Sequence, residues 1–256
     1  MTGNVLFEID GHVATITLNR PEKLNAATSA MGEAIVAAAA ECNRNDAVRC
    51  VIVTGAGPKA FCAGSDIAEL DKYATPWEFR NRADYCDAIQ TLRKPTIAAV
   101  NGYALGGGLE TALACDIRVA SQNAKFAAPE IKLGWIGGGG MTALLAHSIG
   151  PSNAAWMVMT GNPIDAQQAL SWGLVSEVVP QEGLLPHVRT LAETIASRAP
   201  IAAETAKLNL HAAFSMPREQ AIAYERDLQT ICFATADATE GRVAFKEKRP
   251  PLFRRR

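Results

Sequence analysis

Two acidic residues, Glu110 and Glu130, stand beside glycine-dense turns. Glu110 ends the run Asn101-Gly102-Tyr103-Ala104-Leu105-Gly106-Gly107-Gly108-Leu109-Glu110. Glu130, in Ala128-Pro129-Glu130-Ile131, precedes four glycines at 137–140. The pairing has chemical meaning. Glycine leaves a backbone N–H bare, so the amide can approach developing negative charge, and a nearby carboxylate can move a proton. A third turn, Phe61-Cys62-Ala63-Gly64-Ser65-Asp66-Ile67, follows an apolar run and offers a second amide. Two amides converging on one oxygen are what acyl chemistry needs. Each feature also has a plainer explanation. Consecutive glycines form tight turns against neighbouring strands, and acids are common at helix N-termini for dipole reasons alone. The apolar flanks of both glutamates favour partial burial, which raises a carboxyl pKa toward the range useful for proton transfer.

These residues need elements to hold them. Residues 5–9 and 13–18 read as strands joined by Asp10-Gly11, a hairpin signal. Thr28 or Ser29 caps a helix reaching about residue 43, and 49–54 is a short strand of buried type. Thr75 as N-cap and Pro76 at the first helical position predict one helix over 76–92. A strand follows at 96–100, a helix at 109–114 and a strand at 117–120. Alternating strands and helices argue for an α/β core with a mostly parallel sheet. From about residue 150 the pattern is helical, over 151–159, 165–172, 180–199, 202–214, 217–234 and 238–248. There is no Ser/Gly/Pro-rich linker and no internal repeat, so a core with a helical tail fits better than two independent domains.

The chain has 256 residues, enough for a large core, and a formal net charge of −1. This balance supplies no field to attract nucleic acid or an anionic membrane. Arg254-Arg255-Arg256 reads as a solvated tail end. Six cysteines, at 42, 50, 62, 86, 115 and 232, form no C-x-x-C pair and have no histidine at metal-ligand spacing. They read as reduced residues of a cytoplasmic protein without a metal site. The four histidines are scattered, no basic leader precedes an apolar segment, and no apolar run has the length of a membrane span.

Thr54-Gly55-Ala56-Gly57-Pro58-Lys59 has the glycines of a dinucleotide loop but not its context, because Pro58 follows at once and no capped helix opens there. A longer set of segments resembles the crotonase superfamily, the enoyl-CoA hydratase/isomerase family. The set begins with Leu18-Asn19-Arg20-Pro21, Leu24-Asn25-Ala26 and the turn from Ala60 through Ile67. It continues with the glycine run ending at Glu110, Ala114-Cys115-Asp116-Ile117-Arg118 and Pro129-Glu130-Ile131. Thr160-Gly161, Gly173-Leu174-Val175 and Glu247-Lys248-Arg249 complete it, so the resemblance covers essentially the whole chain.

The resemblance implies a crotonase-like α/β spiral of ββα repeats over residues 1–195, carrying a CoA-thioester site. It also implies a helical C-terminal region over 196–256 that drives assembly into a homotrimer or a dimer of trimers. The substrate it implies is an acyl-CoA thioester, with no cofactor beyond the coenzyme A of the substrate itself. By the same resemblance the amides of Ser65 and Gly107 form the oxyanion hole, and any residue but proline can donate there. Leu24, Ala26, Ala63, Asp66 and Ile67 line the path of coenzyme A, and the amide of Gly138 helps position a water. Glu110 activates that water for attack at C3 and Glu130 delivers a proton to C2.

Three departures from the family pattern stand out. Ala68 stands where many hydratases place lysine, Ile136-Gly137 replaces an apolar-proline pair, and Trp135 replaces a smaller residue. Trp135 either narrows the acyl pocket or packs outward. Hydration of a 2-enoyl-CoA to a 3-hydroxyacyl-CoA is the expected reaction, since it needs one carboxylate as base and another as acid. Isomerase, lyase, dehydratase or hydrolase chemistry on another acyl-CoA is the alternative on the same scaffold. A non-catalytic acyl-CoA-binding protein would bind the thioester without turnover.

Overall fold

A computed structural model describes residues 3–82 and 84–256. The strands are β1 (Val5–Asp10), β2 (Val13–Leu18), β3 (Cys50–Gly55), β4 (Ala60–Cys62) and β5 (Thr96–Val100). They continue as β6 (Tyr103–Leu105), β7 (Ile117–Ser121), β8 (Lys125–Ala127), β9 (Ile164–Asp165) and β10 (Glu177–Val179). One sheet has the order β1-β2-β3-β5-β7-β10 and the other β4-β6-β8-β9. From β3 to β8 the chain lays one strand in the larger sheet and the next in the smaller, three times over, which is a spiral of ββα units. Pairing is parallel throughout the spiral; among the described residues only β1 with β2 and β8 with β9 run antiparallel.

The apolar runs of β3 and β5 are wholly buried because both faces of the larger sheet are covered. Alternation splits them. Val51 and Val53 face the main core, and Cys50 and Ile52 join a second cluster. The main core is packed by α1 (Ser29–Arg44), α4 (Tyr85–Gln90), α5 (Gly107–Leu113) and α6 (Met141–Thr160), whereas the second rests on α8 (Leu184–Ala196). Between α1 and α4 lie α2 (Ile67–Leu70) and α3 (Pro76–Arg80), and α7 (Ala166–Ser171) follows α6. The C-terminal part is helical, as α9 (Pro200–Ser215), α10 (Arg218–Phe233) and α11 (Ala236–Glu247).

Three expectations change. The single helix expected over 76–92 is two, α3 and α4, and Ala83 within it lies outside the described residues. The reason is a second cap: Asp84 Oδ1 accepts from the Cys86 amide at 2.9 Å, while Thr75 Oγ1 caps α3 through Glu78 N at 3.1 Å. The helix expected from 151 begins at Met141 and passes through Gly150 at φ 76°, so Pro151 follows a kink. Finally, the arginine tail is not simply solvated. Asp237 accepts from the amides of Arg254 and Arg255 at 2.7 and 2.8 Å, and the Arg255 guanidinium clasps Glu204. Glu204 also accepts from the fully buried Lys94 at 2.8 Å. Burial pushes the Glu204 carboxyl up, but Arg255 and Lys94 outweigh it and hold it below its ordinary value.

All six cysteines are free thiols and five of them are buried. Burial pushes the thiols of Cys42, Cys50, Cys62 and Cys115 up to about 12. Among the described residues no helix is long and apolar enough to cross a membrane, and no group of acidic, histidine or cysteine side chains has the geometry of a metal site.

Candidate active site

Asn25 and Asn101 clamp the loop that leads into β4. Asn25 Nδ2 donates to the Ala60 carbonyl at 2.8 Å, and Asn101 Nδ2 to the Gly55 and Gly57 carbonyls at 2.9 and 2.6 Å. Beyond β4 the chain turns, with Ala27 N donating to Gly64 O and Asp66 N to Ala27 O, both at 2.8 Å. In that parallel bridge the intervening Ser65 amide points away from Ala27, and Ser65 lines the cleft. Gly107 is the first residue of α5, so its amide has no partner within the helix.

The glycine triplet is explained by three different neighbours. A Cβ on Gly106 would fall 2.7 Å from Glu130 Oε1, one on Gly107 2.0 Å from the Tyr85 hydroxyl, and one on Gly108 2.0 Å from the Cys62 carbonyl. A carboxylate, a phenol and a backbone carbonyl of β4 thus press on three successive α-carbons. Gly64 faces the same place, since its Cβ would lie 3.3 Å from Gly107 N.

Glu110 sits in the first turn of α5 and is 5% exposed. Its Oε1 accepts from Gly139 N at 2.7 Å and from Met141 N at 3.2 Å. Burial raises its pKa, the two amides pull the other way, and the charges of Glu130 and Asp84 add to the rise. Glu130 stands on a 3-10 turn over Pro129–Leu133. Its Oε2 is buried without a hydrogen-bond partner among the described residues, and burial raises its pKa as well.

Ser65, Gly107, Glu110, Glu130 and Gly138 line one open cavity of about 160 Å³. Its apolar wall comes from Leu70, Phe79, Leu133, Ile136 and Trp135, so the tryptophan takes the inward alternative. Ala63 and Ile67 belong to the lining; Leu24, Ala26 and Asp66 stand beside it. The Ala63 amide donates to Leu24 O at 3.0 Å. Arg20 ties the rim together through Ala26 O at 3.3 Å and Asp66 Oδ2 at 2.7 Å, and its hydrogen bond holds the Asp66 carboxyl below the ordinary value.

Sequence reasoning missed five contributors. The amides that grip Glu110 belong to Gly139 and Met141, whereas Gly138 lines the cavity beside them. Tyr85, Asp84 and Arg82 also line it, with Arg82 Nη2 2.9 Å from Asp84 Oδ2 and its guanidinium over the Phe79 ring. The cap signal of Asp84 was the available clue to this second helix start.

Comparison with known proteins agrees with this architecture. The family model described as enoyl-CoA hydratase/isomerase matches residues 8–256. A probable enoyl-CoA hydratase of Mycobacterium tuberculosis is 42% identical over 255 residues, covering 98% of each chain. A short-chain-enoyl-CoA hydratase of Clostridium acetobutylicum is 39% identical over 96% of this chain and 95% of its own. The crystal structure of an enoyl-CoA hydratase from Bacillus anthracis superposes with a TM-score of 0.94 at 36% identity, covering 99% of this chain and all of the other. The chain belongs to the enoyl-CoA hydratase/isomerase family of the crotonase superfamily, and is an enzyme of that family.

Proposed function

We propose that the protein adds water across the double bond of a 2-enoyl-CoA, giving a 3-hydroxyacyl-CoA. The observation that carries this reading is the convergence of two glutamates and two turn amides on one cavity. The thioester oxygen sits between the amides of Ser65 and Gly107, which stabilise the negative charge that grows there during addition. A water lies between Glu110 and Glu130, with the Gly138 backbone beside it. Glu110 takes a proton as the water oxygen bonds to C3, the electron pair of the double bond moves to C2, and Glu130 protonates C2.

The surroundings of the two carboxyls support this division. Two amide N–H groups favour the charged form of Glu110, the base. Glu130 Oε2 meets no such donor among the described residues, and burial favours its neutral form, as an acid needs. Exchange with solvent returns the pair to its starting state after each turnover. Leu24, Ala26, Ala63, Asp66 and Ile67 form the rim along which coenzyme A lies, and no metal or redox cofactor takes part.

The free cysteines fit a reducing, cytoplasmic setting. Exposed apolar residues of the C-terminal helices, among them Phe214, Ile231, Phe233 and Phe245, support assembly as a homotrimer or a dimer of trimers. Product mass tests the reaction. Hydration adds the mass of water to an enoyl-CoA, isomerisation adds nothing, and a protein that leaves a panel of short and medium enoyl-CoAs unchanged overturns the proposal.

A further inference from the structure

Tyr85 opens α4 with its ring buried and its hydroxyl at the cavity. Tyr85 Oη lies 3.2 Å from Ser65 Oγ, and it occupies the space that a side chain on Gly107 would need. The two residues whose amides form the proposed oxyanion hole are therefore the same two that the phenol touches. A phenylalanine would fill this volume as well; only the oxygen explains a hydrogen bond to Ser65.

The count of protons is informative. Each hydroxyl can donate once, and the pair shares one hydrogen bond. If Tyr85 donates, the Ser65 hydroxyl keeps a free proton; if Ser65 donates, Tyr85 does. Neither has another protein acceptor among the described residues, and both line the cavity. One O–H is thus available beside the two amides, whichever way the bond points.

We propose that the Tyr85–Ser65 hydroxyl pair supplies a third hydrogen-bond donor to the thioester oxygen, in addition to the Ser65 and Gly107 amides. This rests on the hydration reading and makes both hydroxyls catalytic groups. No proton is transferred by the pair. Burial keeps the phenol well above its ordinary pKa, so it remains a neutral donor across the working pH range. As charge moves from the double bond onto the oxygen, a third donor shortens and strengthens its hydrogen bond. The packing behind Tyr85 favours a fixed position. The neighbouring Cys86 thiol donates to the Gly107 carbonyl at 3.4 Å and lies 3.6 Å from Thr111 Oγ1, seating α4 against α5.

The test is a double-mutant cycle of Tyr85→Phe, Ser65→Ala and both together. It is read by kcat and KM with crotonyl-CoA and by the absorption red-shift of bound cinnamoyl-CoA, which reports polarisation of the thioester carbonyl. Each single variant retains one hydroxyl, so kcat should fall only about twofold to threefold. The double variant should lose about tenfold or more, beyond the product of the singles, with KM little changed and the red-shift reduced. Independent effects that merely multiply, or an undiminished red-shift in the double variant, overturn the proposal. A wild-type protein that polarises cinnamoyl-CoA but hydrates nothing overturns the reaction and spares the donor. A wild-type protein that does neither overturns both.

Discussion

Glu110 and Glu130 share a cavity but not a setting. Glu110 is gripped by two amides from the loop entering α6, and it is fixed on a helix whose Leu109, Ala112 and Leu113 belong to the core. Glu130 stands on a short turn with one buried oxygen that has no hydrogen-bond partner among the described residues. Desolvation pushes both toward the neutral form, but Glu110 is opposed by two amides from another element and Glu130 only by its own backbone amide. The contrast teaches that burial alone does not assign an acid and a base. The number of donors that each carboxylate meets separates them.

The strongest way to break the comparison is to remove each carboxylate in turn. Glu110→Gln and Glu130→Gln should each lower kcat by about 10³-fold or more, measured as loss of the enoyl-thioester absorbance. Near-normal turnover in either variant removes that residue from the mechanism. A milder attack leaves Glu110 in place and disturbs its grip. A Cβ at residue 139 would lie 2.9 Å from Glu110 Oε2 and 2.9 Å from Cys86 Cβ, so Gly139→Ala must displace the Glu110 carboxyl or Cys86. A loss of about 10²-fold in kcat is expected, the scale of a misplacement near 1 Å. Glu130-dependent steps, such as exchange of the C2 proton of a saturated acyl-CoA with deuterated water, should suffer less.

Asp84 offers a way to sharpen it. Burial is the largest cause of the raised Glu110 pKa, and the Asp84 charge adds to it. Asp84→Asn removes that negative charge, so the Glu110 carboxylate persists to lower pH. The acid limb of the kcat/KM profile should move to lower pH, and a shift upward would contradict the base assignment. The smallest effect concerns stability. A carboxyl whose pKa is raised by folding binds more protons folded than unfolded, so its contribution to stability falls as pH rises above the unfolded value. Glu130→Gln should therefore stabilise the protein by about 0.5–2 kcal/mol at neutral pH, more than Glu110→Gln does. The gain should shrink toward about pH 3, below the ordinary glutamate value, where Glu130 is protonated in both states. Thermal unfolding at the two pH values measures it.

Much of this arrangement was legible because glycine has few uses. The triplet at 106–108 marked a site of close approach, and the structure assigns a separate neighbour to each α-carbon. Long buried strands such as β3 and β5 were equally plain as apolar runs. The three-residue strands β4, β6 and β8 were not, since an alternation of period two has no room to appear in them. Tyr85 was hidden because a helix pattern running through 76–92 concealed the second cap at Asp84. The grip on Glu110 comes from backbone amides 29 and 31 residues away, and a backbone amide carries no signature in the sequence. The tail was misread for a similar reason: Arg255 finds Glu204 only after α9 has packed.

The protonated, enclosed cysteines have a practical consequence. In the native protein a thiol-modifying reagent meets one ready target, the half-buried Cys232. The other five react only when the structure opens around them, so their labelling rates become a clock for local opening. Cys86 would time the parting of α4 from α5 beside the cavity, and Cys50 the lifting of α8 from the sheet.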